Sequence, residues 1–268
     1  MLTRLGPVPD TSSLHTTDLG ERGERVLFCH GLFGQGRNWT GIAKALADDH
    51  RVTLVDLPNH GRSAWTDEID LVADADRIAQ LIDADDPVAL IGHSLGGKVA
   101  MLLALRHPEL VARLVVVDVS PADYASGSEF GGYISAMRAM DLGALASRQE
   151  ADAALLEAVP HPTVRGFLLQ NLRRDGDAWA WQPNLALLGD QLGRITGWPK
   201  ERVAQLAPYD GPVLWVAGER SDYVSDEHLP AMQALFPRVR RVTVKGAGHW
   251  VHSEQPEIFL EVLRRFLA

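Results

Sequence analysis

Val88-Ala89-Leu90-Ile91-Gly92-His93-Ser94-Leu95-Gly96-Gly97 decides the fold. Val88 to Ile91 reads as a strand buried on both faces, and from Leu95 the apolar residues recur at helical spacing as far as Arg106. Gly92 to Gly96 must therefore turn a strand into a helix within a few residues. A serine on so sharp a turn takes a strained backbone, and the glycines two positions to either side relieve the crowding between turn, strand and helix. Gly97 extends that clearance. The turn lifts the Ser94 hydroxyl above the sheet and sets the Leu95 amide at a helix N-terminus, where unpaired N–H groups favour a developing negative charge. The pentapeptide alone would also suit a helix-capping serine between structural glycines; the strand-turn-helix context favours a nucleophile.

The pattern repeats outward from this turn. Apolar runs at Val26 to His30, Val52 to Leu57, Leu114 to Val119, Val213 to Gly218 and Val242 to Val244 each end at or near Gly, Asp or His. Between the runs, Trp39 to Ala47, Ala73 to Ile82, Asp226 to Phe236 and Pro256 to Leu267 carry helical spacing. Strand followed by helix, repeated, predicts an α/β fold with a mostly parallel, twisted sheet flanked by helices. The rhythm breaks between about Pro121 and Pro208, where helical fragments at Tyr133 to Met140 and Ala151 to Ala158 are interrupted by Pro160, Pro162, Pro183 and Pro199. We read residues 121–208 as an inserted helical cap and 1–120 with 209–268 as the core domain. Trp179, Trp181, Phe167 and Leu168 of the cap either line a pocket or pack the cap onto the sheet.

At 268 residues and 46% hydrophobic content the chain can bury a full core. A net charge of −9, from 35 acidic against 26 basic residues, leaves no broad cationic surface for a phosphate backbone, so nucleic acid is excluded as an expected partner. The single cysteine, Cys29, lies in an apolar run and reads as a small buried hydrophobe, which suits a reducing compartment. Met1 to Gly20 lacks the apolar core of a signal peptide, and no apolar stretch reaches membrane-spanning length. The expectation is a cytoplasmic protein without membrane insertion; its oligomeric state is not legible.

A serine nucleophile needs a base, an acid behind the base, and donors for the oxyanion. Leu95 N–H supplies one donor. The loop after the first core strand, His30-Gly31-Leu32-Phe33-Gly34, opens at the same end of the sheet and supplies the other, with Leu32 ahead of Phe33. Its glycines do not have dinucleotide-loop spacing, and His30 is expected to hold the loop by hydrogen bonding. The base belongs after the last strand, where Gly246-Ala247-Gly248-His249-Trp250 places His249 in a tight loop and His252 is the near rival. His93 is expected to point away along the turn and His60 to stabilise its own loop. For the acid, the frame after the next-to-last strand gives Gly218-Glu219-Arg220-Ser221, with Ser221 in the usual place and Asp222 one residue late. Asp118, at the end of its own strand, is the alternative, and also suits a turn before Ser120-Pro121. Spacing leaves Asp118 and Asp222 open.

The sequence resembles the YbfF-like esterases, a branch of the α/β-hydrolases that includes abhydrolase-domain relatives. The likeness runs over nearly the whole chain. It rests on His30-Gly31-Leu32-Phe33-Gly34, Val55-Asp56 with Asn59-His60-Gly61, Gly92 to Lys98, Asp118-Val119-Ser120-Pro121, Phe167-Leu168-Leu169 with Asn171-Leu172, Ser221-Asp222-Tyr223-Val224 and Gly248-His249-Trp250-Val251-His252. The resemblance implies Ser94, His249 and Asp118 as the catalytic residues with Ser221 as an auxiliary. It also implies action on small ester or thioester substrates of short to medium acyl chain, acyl-CoA among them. Asp222 beside Ser221 departs from the pattern. Phe33, Trp250, Trp179 and Trp181 are the candidate substrate-binding residues.

No cofactor is called for, and no metal: His249 and His252 stand three apart near a loop, without a helical His-Glu-x-x-His. The same fold also serves perhydrolases, carbon–carbon bond hydrolases, a menaquinone-pathway lyase and, at a further remove, non-catalytic ligand receptors. A dehalogenase or epoxide hydrolase would need a carboxylate in place of Ser94. Lys98 is expected at the surface or sheet edge.

Overall fold

The computed structural model describes residues 14–124 and 129–268. Residues 1–13, most of the stretch read as lacking a leader, lie outside the described residues, as do 125–128 within the proposed cap. The main sheet has seven strands: β1 (Thr16–Leu19), β2 (Arg25–Cys29), β3 (Arg51–Val55), β4 (Val88–His93), β5 (Val111–Val117), and, after a two-stranded ribbon of β6 (Leu172–Asp175) and β7 (Ala178–Trp181), β8 (Val213–Gly218) and β9 (Val239–Val244). The spatial order is β1-β3-β2-β4-β5-β8-β9. Every pairing is parallel except that of β1 with β3. This is the α/β-hydrolase fold.

Both faces of the sheet are buried because successive strand residues feed opposite cores. Leu27 and Cys29 of β2, Val88 and Leu90 of β4, Leu114 and Val116 of β5, and Val213 and Trp215 of β8 join one cluster with the helices Leu71–Ala79 and Leu95–Arg106. Their neighbours Val26, Phe28, Ala89, Ile91, Val115, Val117, Leu214 and Val216 join the other, under the helices Thr40–Leu46 and Pro256–Leu267. Cys29 is fully buried, as expected, and burial pushes its thiol up to about 12.

From β2 the chain moves to β3 on one side, and then returns to β4 on the other. The loops after β2 and β4 therefore diverge, leaving a crevice at the carboxyl ends of these two strands. His30-Gly31-Leu32 and Ser94 both sit there.

Two features escaped the sequence reading. β1 has one well-placed apolar residue in four and a half-exposed edge position, so it carries no buried-strand pattern. The segment between β5 and β8 is not purely helical, which corrects the helical reading: besides the helices Glu129–Ala139, Arg148–Leu155, Pro162–Leu169, Leu185–Asp190, Leu192–Thr196 and Lys200–Val203 it contains the β6–β7 ribbon, turned at Gly176 with φ 58°. Alternating Ala and Trp in β7 is a strand period that the proline count obscured.

Lys98 is a further correction. It is not at the surface but 2% exposed, because Leu95–Arg106 is buried on all sides. Its ammonium donates to the carbonyls of Ala122 at 3.1 Å, Thr196 at 2.5 Å and Gly197 at 2.7 Å, and lies 4.8 Å from the Tyr124 ring centre. One ammonium thus pins the helix Leu95–Arg106 to both ends of the segment between β5 and β8, at the cost of desolvation that lowers its pKa to about 7. Lys98→Met leaves three buried carbonyls without that donor, so the denaturation midpoint should fall by the equivalent of about 2–3 kcal/mol. A variant as stable as the parent would contradict the pin.

Candidate active site

The turn that carries Ser94 is as tight as its glycines require. Ser94 sits at φ 51°, ψ −117°, with its N–H donating to Val117 O at 3.0 Å. A Cβ on Gly96 would stand 2.5 Å from the carbonyl oxygens of both Cys29 and His30, and Gly96 N–H donates to His30 O at 3.1 Å. Only glycine lets this helix start so close to β2.

The residues singled out from sequence converge. Ser94 Oγ and His249 Nε2 are 3.0 Å apart, and His249 Nδ1 is 2.8 Å from Asp118 Oδ2. Asp118 is fully buried, has φ 51°, and accepts Gly218 N–H on Oδ1 at 2.8 Å; Ser221 Oγ donates to the same Oδ2 as His249. A carboxylate with three donors has one orientation, which fixes the imidazole's tautomer in turn. Asp222 is exposed, and among the described residues the carboxylate bonded to His249 belongs to Asp118. A one-residue shift along the loop after β8 has turned Asp222 outward.

The loop after β2 lies against Ser94: a Cβ on Gly31 would be 3.2 Å from Ser94 Cβ and 2.7 Å from His93 Nδ1. Gly34 N–H closes it onto Gly31 O at 2.9 Å, with Phe33 at φ 61°. The amides of Leu32 and Leu95 donate to no protein acceptor among the described residues. Leu32 and Leu95 are themselves 5% and 7% exposed.

The imidazoles of four other histidines are buried near this row or in the loops beside it. Leu57 N–H donates to His30 Nε2 at 2.9 Å, so His30 Nδ1 carries the proton and donates to Gly31 O at 2.8 Å. His60 Nδ1 donates to Pro58 O at 2.9 Å within its own loop. His93 does turn away from Ser94 Oγ, but lands under the base: its Nε2–H donates to His249 O at 2.8 Å. His252, the rival base, stacks on Trp39 with centroids 4.0 Å apart. Burial pushes His30 and His252 down to about 3, His60 to about 4 and His93 well below its ordinary value.

Aromatic rings surround His249. Tyr223 lies 4.3 Å from it, Trp250 5.5 Å and Phe130 6.1 Å between centroids; Phe33 meets Phe130 at 6.2 Å, and Phe167 meets Trp250 at 5.9 Å. Phe130 and Tyr223 were missed from sequence. Tyr223 stands in the segment after Ser221, where its proximity to the acid position was the available signal, whereas Phe130 depends on how the inserted segment folds back. The indoles of Trp179 and Trp181 are held by N–H bonds to Leu145 O at 3.0 Å and Met137 O at 2.9 Å, with Arg174 over the Trp179 ring at 4.2 Å. They tie the β6–β7 ribbon to its own helices, the packing alternative for these indoles. No three His, Cys, Asp or Glu side chains converge as a metal site among the described residues. Nor is any helix there long and apolar enough to cross a membrane.

A hydroxyl on a strained turn, an imidazole and a buried carboxylate in one bonded row define the arrangement of an α/β serine hydrolase. Comparison with known proteins agrees: residues 24–256 match the alpha/beta hydrolase fold family, and the chain belongs to it, in the YbfF-like branch. It is 39% identical to the sn-1-specific diacylglycerol lipase ABHD11 of Mus musculus, over 91% of this chain and 80% of that protein. It is 34% identical to the esterase YbfF of Escherichia coli (strain K12), over 90% and 92%. Among solved structures, a marine microorganism esterase superposes with a TM-score of 0.90 at 33% identity, covering 95% of this chain and 99% of its own. The chain is a serine hydrolase of the esterase and lipase kind, acting on small-molecule esters.

The buried neutral histidines set an acid limit on stability. His30, His60, His93 and His252 have folded pKa values below the unfolded 6.5, so between about pH 4 and 6.5 the unfolded chain binds protons that the folded chain refuses. Asp74, whose carboxyl burial raises to about 7, offsets one of the four. Their stabilisation is present above pH 6.5 and is lost as pH falls, at about 1.4 kcal/mol per pH unit for each net proton. Urea unfolding between pH 7 and 4.5 should show a slope of about three such protons near pH 5; a flat profile would contradict the neutral, buried state of these rings.

Proposed function

We propose that the enzyme hydrolyses carboxylic esters or thioesters of short to medium acyl chain through an acyl-enzyme on Ser94. The observation that carries this reading is the unbroken row Ser94 Oγ, His249, Asp118 beside two unpaired amides. His249 Nε2 takes the hydroxyl proton as Ser94 attacks the carbonyl, and Asp118 stabilises the imidazolium that results. The Leu32 and Leu95 amides receive the oxyanion. His249 then protonates the leaving alcohol or thiol, and the same groups activate a water that releases the acid.

Ser221 stands where the fold usually carries its acid and, on this reading, holds the displaced carboxylate by its hydroxyl. The walls next to the base are Phe33, Phe130, Tyr223 and Trp250 with Phe167 behind, which suits an apolar acyl chain. Burial pushes the Tyr223 hydroxyl up to about 12, so it stays protonated and does not compete as a base. Residues 121–208 act as the cap that supplies Phe130 and Phe167.

Ser94→Ala should abolish nearly all p-nitrophenyl butyrate turnover, leaving at most the roughly 10³- to 10⁴-fold rate over water that binding and oxyanion contacts retain. Asp118→Asn should lower kcat by about 10⁴-fold by supporting the wrong tautomer. Asp222→Asn should act at close to the parental rate. Full activity in Ser94→Ala would overturn the mechanism, and loss confined to Asp222→Asn would overturn the choice of acid. Acyl esters and acyl-CoA thioesters of graded length, run on the parent enzyme, identify the preferred acyl group.

A further inference from the structure

We infer that Asn171, which belongs to the inserted segment, is the positioning residue for the oxyanion loop: its side-chain amide holds the Phe33 carbonyl and so keeps the loop's N–H groups aimed at the acyl oxygen. The inference rests on the reading of Leu32 as an oxyanion donor.

The loop is a four-residue turn closed by Gly34 N–H on Gly31 O, with Leu32 and Phe33 at its centre. A turn with φ 61° at its third residue is of the type that favours glycine there, and this one carries a phenylalanine. A bulky left-handed residue persists only where its surroundings hold it. Relaxed to an ordinary backbone, Phe33 would turn the Leu32–Phe33 peptide over, carrying the Phe33 N–H with it and shifting the adjoining Leu32 residue whose own N–H is the proposed donor. The loop lies against Ser94, so such a movement reaches the reacting carbonyl directly.

Asn171 is what holds it. Its Nδ2 donates to Phe33 O at 2.8 Å and to Leu168 O at 3.2 Å, and its Oδ1 accepts Gln35 Nε2 at 3.0 Å. Two carbonyls can be met only by the amino end, so the amide has one orientation. Gln35 is fixed likewise, since its Oε1 accepts Arg173 at 3.1 Å. Asn171 is fully buried, and its backbone is tied at both ends, N–H to Leu168 O at 3.1 Å and O from Gln182 N–H at 2.9 Å. Its neighbour Gln170 grips the helical turn that follows the loop, Gly36–Trp39: Arg37 donates to Gln170 O at 2.9 Å, and Asn38 Nδ2 to Gln170 Oε1 at 2.7 Å. The inserted segment therefore does more than wall the pocket. It sets the geometry of one oxyanion donor, and a change in its packing reaches kcat through Asn171.

The test compares Asn171→Leu and Asn171→Asp, near-isosteric changes that keep the volume and remove the donor. With p-nitrophenyl butyrate each should lower kcat about 10- to 100-fold while KM stays within about three-fold, because the lost contact acts on the transition state. A trifluoromethyl ketone, whose adduct carries an oxyanion, should lose affinity by the same factor as kcat. Gln35→Leu leaves Asn171 in place but unlocks its amide, and should give a smaller loss in the same two readouts; it decides the matter if the Asn171 variants do not fold. Unchanged kcat and inhibitor affinity would overturn the inference, as would a loss seen only in KM or thermal stability. If Ser94→Ala retained turnover, the failure would lie instead in the reading of the nucleophile.

Discussion

The site depends on the register between β4 and β5. His93 pairs with Val117, so the next residues, Ser94 and Asp118, leave two adjacent parallel strands side by side, both at φ 51°. Each left-handed turn costs about 1–3 kcal/mol and survives because neighbours over-determine it. Ser94 N–H is bonded to Val117 O, and Asp118 N–H to Val216 O. A slip of one residue would send both side chains to the wrong face of the sheet. The next strand in order, β8, ends in Gly218 N–H and Ser221 Oγ, which complete the carboxylate, and the loop after β9 brings His249 over the pair. Four neighbouring strand ends thus supply the groups of one bonded row, and no long loop has to be ordered to assemble it.

The other side of the crevice is built on the same economy. The loop after β2 touches Ser94 through Gly31, and its strained Phe33 is held from the inserted segment. His30, His93, His60 and His252 are buried imidazoles whose pKa values burial lowers, and one of them joins a backbone carbonyl to a backbone amide of another loop. His30 does this between Gly31 and Leu57. His93 and His60 each bond one backbone carbonyl, of His249 and of Pro58, and acid sensitivity follows from the burial of these rings.

Where local pattern and tertiary environment agree, the sequence was readable. Val88 to Ile91 followed by a helix announced the sharp turn at Ser94, because a buried parallel strand and an all-round apolar helix both leave continuous signatures. His249 was legible from small residues before a late histidine. The acid was not, since Asp118 and Asp222 differ only in where a backbone points, and φ at Asp118 is invisible in composition; the family resemblance separated them. Lys98 misled because an ammonium inside a core is paid for by three carbonyls from distant residues. Phe130 and Asn171 were out of reach for the same reason, as their contacts to His249 and Phe33 span more than a hundred positions. Trp179 and Trp181 showed the converse: aromatic residues in an inserted segment are as ready to bind that segment together as to face a ligand.

The most direct test of the account is to find where the acyl group goes. The enzyme would be mixed with p-nitrophenyl acetate, quenched in acid within the burst, digested, and the acetylated peptide identified by mass. The account predicts a stoichiometric acetyl adduct on the Ser94 peptide that decays at the steady-state rate. An adduct on any other residue, or turnover with no covalent intermediate, would contradict it.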